Sequence, residues 1–247
     1  MALKPLKRGD LMAEQIKRWI ADGQFAPGDK LPREAELQKL FSVSKVTARE
    51  GLKSLEVQGF ISISTGPAGG ATIAEVPFDR TFQFLQNHLF FCNVSIEDIY
   101  AVRRLIEPAL AESAVRHLTK NDLKDLEKSI DICSRPASSE RVALKQRQED
   151  LRFHDVLARA CPNALLRFTC EAINEMIRQV VVMHGRPLGA VYRRFGEHNV
   201  SAHRAILEAA RKRKSGEVRA LMEEHIATAE QFSRKLKAEV VPKLVLT

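Results

Sequence analysis

Residues 27–74 read PGDKLPREAELQKLFSVSKVTAREGLKSLEVQGFISISTGPAGGATIA, and this stretch decides the fold. The Leu31-Pro32 pair predicts an extended entry, because proline fixes its own φ and restrains the residue before it. Residues 33–41 follow with a helical spacing of apolar side chains. That stripe consists of Leu37, Leu40 and Phe41. A short first helix is therefore predicted over 33–41.

A second helix is predicted from Ser44, a suitable N-cap, to about Gln58, where Gly59 can end it. Its apolar side is expected at four positions, Val46, Leu52, Leu55 and Val57. Residues 60–64 then alternate like a half-buried strand, 65–70 form a glycine-rich turn, and 71–74 return as a second strand. Helix, turn, helix and hairpin in this order predict a winged helix-turn-helix, whose second helix enters the major groove of DNA.

The second helix presents the candidate DNA contacts in its first turns. Hydroxyls and cations there suit phosphates and base edges, and the residues are Ser44, Lys45, Thr47 and Arg49. Arg33, at the start of the first helix, and Gly69, in the hairpin turn, complete the predicted set. The alternative is that Lys45 and Arg49 are ordinary surface charges, which the ordered series of elements disfavours.

The same stretch resembles the N-terminal domain of the GntR superfamily of bacterial transcription regulators. It carries the pattern of that family at six pairs: Pro27-Gly28, Leu31-Pro32, Glu36-Leu37, Val43-Ser44, Arg49-Glu50 and Gly69-Gly70. The resemblance implies three DNA-contacting arginines, yet Ala35 and Lys45 occupy the first two positions and only Arg49 is retained. A lysine offers a point charge where arginine offers a bidentate fork, so the operator of relatives does not transfer to this chain.

Length, charge and cysteine content fit a DNA-binding protein of the cytoplasm. The 247 residues are 45% hydrophobic, and the net charge of +8 suits an anionic partner. Charge alone does not locate the DNA-binding region, because residues 1–76 carry 11 Lys and Arg against 9 Asp and Glu. The four cysteines lack paired metal spacing and are expected to be reduced. No signal peptide is visible and no apolar run approaches the roughly 18 residues of a membrane helix.

The predicted fold class is mainly α, with two domains. Residues 1–76 form the winged helix-turn-helix, 77–79 the linker, and 80–247 an all-helical bundle of about seven helices. Helical patterns in the bundle include 95–118, 119–133, 140–160, 163–183, 193–210 and 216–237, with Pro108 as an expected kink in the first.

A divalent metal site is predicted inside the bundle. Asp150 and His154 are four residues apart and share one helical face. His203 and His225 are expected at similar heights on two antiparallel helices that turn near Gly216. Three imidazoles and a carboxylate suit zinc first, with nickel, manganese and iron(II) left open. The remaining histidines are interpreted as ordinary core or surface residues: His88, His117, His184 and His198.

Residues 99–232 resemble the FCD ligand-binding domain of FadR-type GntR regulators. The resemblance rests on VRRLIEP (102–108), DLRFH (150–154), HRAIL (203–207) and ALMEEH (220–225). It implies a metal held by Asp150, His154, His203 and His225, and a small carboxylate effector bound at the metal and at Arg103. A salt bridge from Arg103 to Glu107, one helical turn away, is the structural alternative.

These observations predict a ligand-responsive, homodimeric transcription repressor that binds an inverted-repeat operator in double-stranded DNA and no membrane. The alternative is a metal-dependent enzyme acting on a small carboxylate, because a metal with open positions can also activate water. Asp155 and Glu224 adjoin the ligands in sequence, but no general base is evident, and the DNA module would need a separate purpose. A structural metal, or an apolar effector without metal, is the third alternative.

Overall fold

The computed structural model describes residues 7–66, 69–92, 94–184 and 190–237, without the side chains of 180–190 and 235–237. Pro67 and Ala68 of the predicted turn and the side chain of His184 lie outside the described residues. The chain divides into two compact units, Met1–Leu85 and Gln86–Thr247. This division falls within the helix Phe78–Leu89, whereas the sequence analysis predicted a linker at 77–79. The linker stays a prediction.

The first unit is a winged helix-turn-helix. Helices α1 (Arg8–Ala21), α2 (Glu34–Phe41) and α3 (Lys45–Gln58) precede the antiparallel strands β1 (Ile61–Ser64) and β2 (Gly70–Ile73), in which Ile61 pairs with Ile73. The entry segment joins the hairpin, because the Leu31 amide donates to the Ala71 carbonyl at 2.9 Å. Helix α4 (Phe78–Leu89) follows the hairpin.

Helix α3 begins and ends as its sequence predicts. The hydroxyl of Ser44 accepts the amide of Thr47 at 3.1 Å, so one free N–H of the first turn is satisfied. Gly59 ends the helix with φ +88°, a left-handed conformation that favours glycine. The predicted recognition helix therefore has both of its predicted caps.

The buried face of α3 differs in part from the prediction. Leu52 and Leu55 are buried as expected, but Val46 and Val57 are 67% and 55% exposed. The predicted stripe of the first helix fails in the same way at Leu40, which is 61% exposed. The buried residues of a helix recur at steps of three and four, and on α3 these steps place small residues on the buried face. Those small residues are Ala48 and Gly51.

The sequence analysis missed α1, which packs against α3 through two glycines. A Cβ on Gly51 would lie 2.7 Å from the carbonyl oxygen of Gly9 and 2.6 Å from the terminal methyl of Met12. The close approach of the two backbones thus requires glycine at position 51. Further along α1, the Trp19 ring lies 5.8 Å from Phe25 and 5.4 Å from Phe41, centroid to centroid. Helix α1 completes the core of the first unit.

The second unit is all-helical over its described residues. Its six complete helices are α5 (Ile96–Ala114), α6 (Lys120–Cys133), α7 (Glu140–Ala160), α8 (Ala164–His184), α9 (Ala190–Arg211) and α10 (Ser215–Lys237). With α4, seven helices follow residue 76 among the described residues, which confirms the predicted bundle. Helix α5 continues through Pro108 and ends at Ala114, earlier than the predicted end near Leu118.

The core of the second unit surrounds the region where the functional residues lie. Five of its largest fully buried side chains are Phe153, Leu157, Ile206, Met222 and Ile226. They lie on α7, α9 and α10, the same three helices that carry the predicted histidines. A search of the described helices finds none with the length and apolar character needed to cross a membrane.

Candidate functional site

The predicted DNA contacts lie at the start of α3. Ser44, Lys45 and Arg49 are exposed, and Thr47 is half-buried. The hydroxyls of Ser44 and Thr47 lie 2.9 Å apart, so they already form a hydrogen bond with each other. The exposed side of this turn can therefore offer hydroxyls and cations to an anionic partner.

Arg49 has an acidic neighbour on the preceding helix. Its Nε lies 2.9 Å from Oε2 of Glu34, and 65% of its side chain is exposed. Arg33 is also exposed, and its backbone amide donates to the Glu36 carboxylate at 2.7 Å. The structure therefore places two arginines on the surface near Ala35, the position at which the family pattern has an arginine.

Gly69 occupies the hairpin turn for a steric reason. Its amide donates to the Gly66 carbonyl at 2.9 Å, and an added Cβ would overlap the carbonyl oxygen of Ser64. The tight turn thus requires glycine whether or not the wing contacts DNA.

Three of the four predicted metal ligands converge in the second unit. The Nε2 of His203, on α9, lies 3.2 Å from the Nε2 of His225, on α10. The Nε2 of His225 lies 3.4 Å from that of His154, on α7. All three residues are at most 2% exposed. The predicted antiparallel arrangement of the last two helices therefore does bring His203 and His225 to one height.

These distances fit a bound metal. Two imidazole nitrogens at tetrahedral zinc, each about 2.05 Å from the ion, lie about 3.3 Å apart. The ligand atoms of the three histidines all lie within 4.8 Å of one another. Burial lowers the pKa of His203 and of His225, with further lowering by the neighbouring imidazoles. The rings are therefore neutral near pH 7, with lone pairs free for an ion.

Asp150 stands apart from the three converging nitrogens. Its Oδ1 lies 3.7 Å from Nδ1 of His203, and its Oδ2 accepts the side-chain amide of Asn199 at 2.9 Å. Burial raises the pKa of Asp150 from its ordinary value, while His154 and Arg103 oppose that rise. The histidine cluster defined by distance does not include Asp150, so its role as a metal ligand stays a prediction.

A buried carboxylate contacts His154. Glu107 Oε2, on α5, lies 2.6 Å from His154 Nδ1, which leaves Nε2 to face the other histidines. Burial would raise the pKa of Glu107, but Arg103 and His154 outweigh burial and hold it below its ordinary range. A carboxylate on the second ring nitrogen of a histidine is the usual support for a metal ligand.

The salt bridge expected as the alternative role of Arg103 is present. Arg103 Nε lies 2.5 Å from Glu107 Oε1, and both side chains are at most 4% exposed. The guanidinium of Arg103 also lies 5.1 Å from the centroid of the Tyr100 ring. An effector contact by Arg103 stays a prediction.

The sequence analysis missed three residues that contact or adjoin the cluster. Phe153 stacks on His203 with centroids 3.8 Å apart, Asn199 holds Asp150, and the ring of His198 lies 6.1 Å from that of His225. His198 Nε2 and Asn199 Oδ1 are buried without a hydrogen-bond partner among the described residues. Asn199 is four residues before His203, so helical spacing could have revealed it.

Both parts of the chain match known families. Residues 10–68 match the gntR family of bacterial regulatory proteins, and residues 98–228, more than half of the chain, match the FCD domain. The chain belongs to the GntR family. The matched segments contain all of the predicted site residues except Gly69, and the first match begins inside α1.

Several curated relatives of this GntR-family chain are transcription regulators, not enzymes. The Exu regulon transcriptional regulator of Escherichia coli K12 is 28% identical over 66% of this chain, which spans 60% of that protein. The Uxu operon regulator of Haemophilus influenzae is 26% identical, over 87% of this chain and 77% of the relative. The transcriptional repressor NanR of Cronobacter sakazakii is 26% identical over 95% and 91%.

A solved structure described as Streptococcus agalactiae GntR is similar to this GntR-family chain in fold. The two superpose with a TM-score of 0.58 at 22% identity, covering 90% of this chain and 99% of the other. At that identity the likeness concerns the fold alone.

Proposed function

We propose that the protein is a DNA-binding transcription regulator whose operator affinity is controlled by a small carboxylate effector bound near a divalent metal. The observation that carries the proposal is the convergence of three buried Nε2 atoms within a chain that also exposes cations on a helix-turn-helix. The effector and the DNA would thus bind different units of one chain.

His154, His203 and His225 would hold the metal, with Asp150 as a fourth ligand. Nitrogen ligands favour zinc, while nickel, manganese and iron(II) accept the same donors. The ion would supply a Lewis-acidic position for a carboxylate oxygen. Glu107 would fix the tautomer of His154 through its 2.6 Å contact, and Asn199 would orient Asp150.

Arg103 would provide the charge beside the metal. Its Nε contacts Glu107 at 2.5 Å, and a guanidinium has further N–H donors that could bind a carboxylate. Hydrogen bonds from arginine to a carboxylate are strong and directional. A small acid could therefore be held at one end by the metal and Arg103 together.

The regulator would act as a homodimer on an inverted repeat in the cytoplasm. A two-fold dimer matches a palindromic site, and the spacing of its two recognition helices must match the spacing of the half-sites. An effector that favours one spacing would shift operator affinity. The name of the Cronobacter sakazakii relative, a repressor, supports repression as the outcome.

One experiment tests the proposal with a matched control. The full-length protein is incubated with genomic DNA fragments at a stated salt concentration, and the retained fragments are sequenced. Release of the enriched operator by candidate carboxylates is then measured for the wild type, His203→Ala and His117→Ala. His117 is exposed and remote in sequence from the cluster, so its variant should behave as the wild type.

We expect His203→Ala to bind the operator and to lose both the metal and the response to the effector. An unchanged effector response in His203→Ala would contradict the metal-linked mechanism. Failure of the wild type to enrich any fragment, with metal supplied, would contradict the regulatory function itself.

A further inference from the structure

A second arginine in the bundle has no role in the proposed metal centre. Arg147, on α7, places its guanidinium carbon 3.7 Å from the centroid of the Tyr192 ring, on α9. Within the described part of the chain, no carboxylate lies within ion-pair distance of Arg147. Its partner is therefore the face of an aromatic ring rather than an acidic side chain.

This arrangement is electrostatically incomplete. Arg147 is half-buried, and burial lowers its pKa, because a cation away from water lacks its solvation. An aromatic face offsets part of that cost, but a carboxylate offsets more. The other arginine near the histidines, Arg103, is paired with the carboxylate of Glu107. Arg147 is thus a cation that an anionic ligand would complete.

Arg147 lies in line with the histidine cluster. Arg147, Asp150 and His154 recur at steps of three and four residues, which is one face of α7. Tyr192, Asn199 and His203 follow in the same order along α9. The contacts pair these two rows in sequence, from Arg147 with Tyr192 to Asp150 with Asn199. The two rows therefore form one column that ends at the histidines.

The two tyrosines of the chain both lie beside arginines of the second unit. Tyr100 lies beside Arg103, and Tyr192 lies beside Arg147. Arg147 also interacts electrostatically with Asp150 and with Tyr100, so its charge acts on residues nearer the histidines. A guanidinium and a phenol in contact offer N–H and O–H donors, which suit a carboxylate that carries a neighbouring hydroxyl group.

We infer that Arg147 and Tyr192 bind a second carboxylate of the effector, so that the effector is a dicarboxylate rather than a monocarboxylate. One carboxylate would occupy the metal and Arg103, and the other would face Arg147. The inference rests on the proposed function and refines its ligand class.

The length of the column sets the length of the ligand. Seven residues separate Arg147 from His154, a rise of about 10 Å along a helix. An arginine side chain directed along the column, and a metal bound by the histidines, would each shorten that gap. A six-carbon chain has five C–C bonds of about 1.5 Å and spans about 6 Å between its ends. A hydroxylated six-carbon dicarboxylate therefore matches the column.

The test compares two probes that differ only at the far end. D-Gluconate and D-glucarate share a six-carbon hydroxylated backbone, but only glucarate has a carboxylate at both ends. Their affinities for the zinc-loaded, full-length protein are measured by titration calorimetry. We expect the wild type to bind glucarate at least about ten-fold more tightly than gluconate, because one additional hydrogen bond between charged groups provides about that gain in affinity. Arg147→Gln should abolish that preference and leave gluconate affinity within about two-fold.

Matched variants make the outcome specific. Arg152→Gln removes a half-buried arginine of the same helix, whose partner Glu149 is 3.7 Å away, and should keep the preference for glucarate. Arg147→Lys keeps the positive charge without the planar fork and should keep part of the preference, which provides a second measurement if Arg147→Gln folds poorly. Zinc content and circular dichroism establish that each variant is folded and loaded.

The outcomes separate the two hypotheses. If both acids bind and Arg147→Gln leaves their affinity ratio unchanged, Arg147 does not bind the ligand, while the proposed carboxylate response stands. A wild type that prefers gluconate would also overturn the role of Arg147. If the zinc-loaded wild type binds neither acid, the carboxylate effector itself is wrong, and the inference fails with it.

Discussion

Two ion pairs of arginine with glutamate occupy opposite environments in this protein. On the helix-turn-helix, Arg49 and Glu34 are 65% and 29% exposed, whereas in the bundle Arg103 and Glu107 are 4% and 2% exposed. The surface pair is screened by water and leaves Arg49 free to exchange its partner for a phosphate. The buried pair has no solvent to replace either partner. The same ion pair is therefore open to exchange with solvent ions in one unit and enclosed in the other.

The largest effect is expected from breaking the buried pair. Arg103→Met should destabilise the bundle by about 3–5 kcal/mol, because Glu107 would keep a buried charge with only His154 beside it. Urea unfolding followed by circular dichroism measures this loss. Glu107→Gln in the same background should recover part of it by removing the unpaired charge. A stability of Arg103→Met equal to that of the wild type would show that the buried pair is not needed for folding.

Zinc should stabilise the bundle through the three histidines. A ligand that binds only the folded state at about 1,000 times its Kd adds about 4 kcal/mol. We expect the wild type to gain this stability when zinc is added, and His203→Ala to gain far less. Hydrogen exchange of backbone amides locates the gain, which should lie in α7, α9 and α10. Equal protection of α1–α3 would contradict a site confined to the bundle.

The same histidines make the metal-free bundle sensitive to acid. Burial lowers the pKa of His203 and His225, while an unfolded histidine has a pKa of about 6.5. Below about pH 6.5 the unfolded chain binds more protons than the folded chain does, so the free energy of unfolding decreases as the pH is lowered. For two such groups the decrease is at most about 2.7 kcal/mol per pH unit. Urea midpoints at several pH values measure this slope. His203→Gln should halve it, and an unchanged slope would contradict its assignment to these histidines.

Much of the fold of each unit could be predicted from the sequence, because the signals that define it act between residues close together in the chain. The caps Ser44 and Gly59 and the glycine hairpin act within a few residues of themselves, so they identify α3 and the wing. The three converging histidines could also be predicted, in part because the rise per residue of a helix places His203 and His225 at one height. Three helices thus converge where spacing along each helix predicts it.

The features that could not be predicted from the sequence depend on packing between helices that are distant along the chain. The Arg147–Tyr192 contact joins residues on α7 and α9, and no local pattern relates them. Helix α1 is different, because its buried residues Met12, Ala13 and Ile16 recur at helical steps, so a local pattern could have revealed it. Its close contact with α3, through Gly9 and Gly51, was not predictable from either segment alone. The exposure of Val46 and Val57 has the same origin, since neighbouring helices choose which stripe of α3 is buried.

A smaller effect should follow from filling the glycine contact of the first unit. Gly51→Ala would place a methyl group against the Gly9 carbonyl and Met12, and overpacking of this kind costs about 1–3 kcal/mol. Gly216→Ala is the control, because its Cβ meets nothing within 4 Å and helical alanine is favoured. Hydrogen exchange should detect faster opening of α1 and α3 in Gly51→Ala alone. Normal protection there would mean that the two helices can separate without cost.

The smallest effect on stability is expected at the surface pair. Arg49→Gln should change the free energy of unfolding by less than about 1 kcal/mol. The same substitution should weaken operator binding and reduce by about one the slope of log affinity against log salt if Arg49 contacts a phosphate. Gel-shift titrations at several salt concentrations measure that slope. Glu34→Gln, which removes the partner but not the cation, should leave the slope as in the wild type.

The placement of aromatic residues gives each unit its own optical signal. Trp19 is the single tryptophan of the chain and packs with Phe25 and Phe41 in the first unit, whereas both tyrosines lie in the second. Indole emission of the intact protein therefore reports on the DNA-binding unit alone. Phenol absorbance reports on the second unit, where Tyr192 lies against Arg147. A change of indole emission when a ligand enters the bundle would be a direct record of communication between the units.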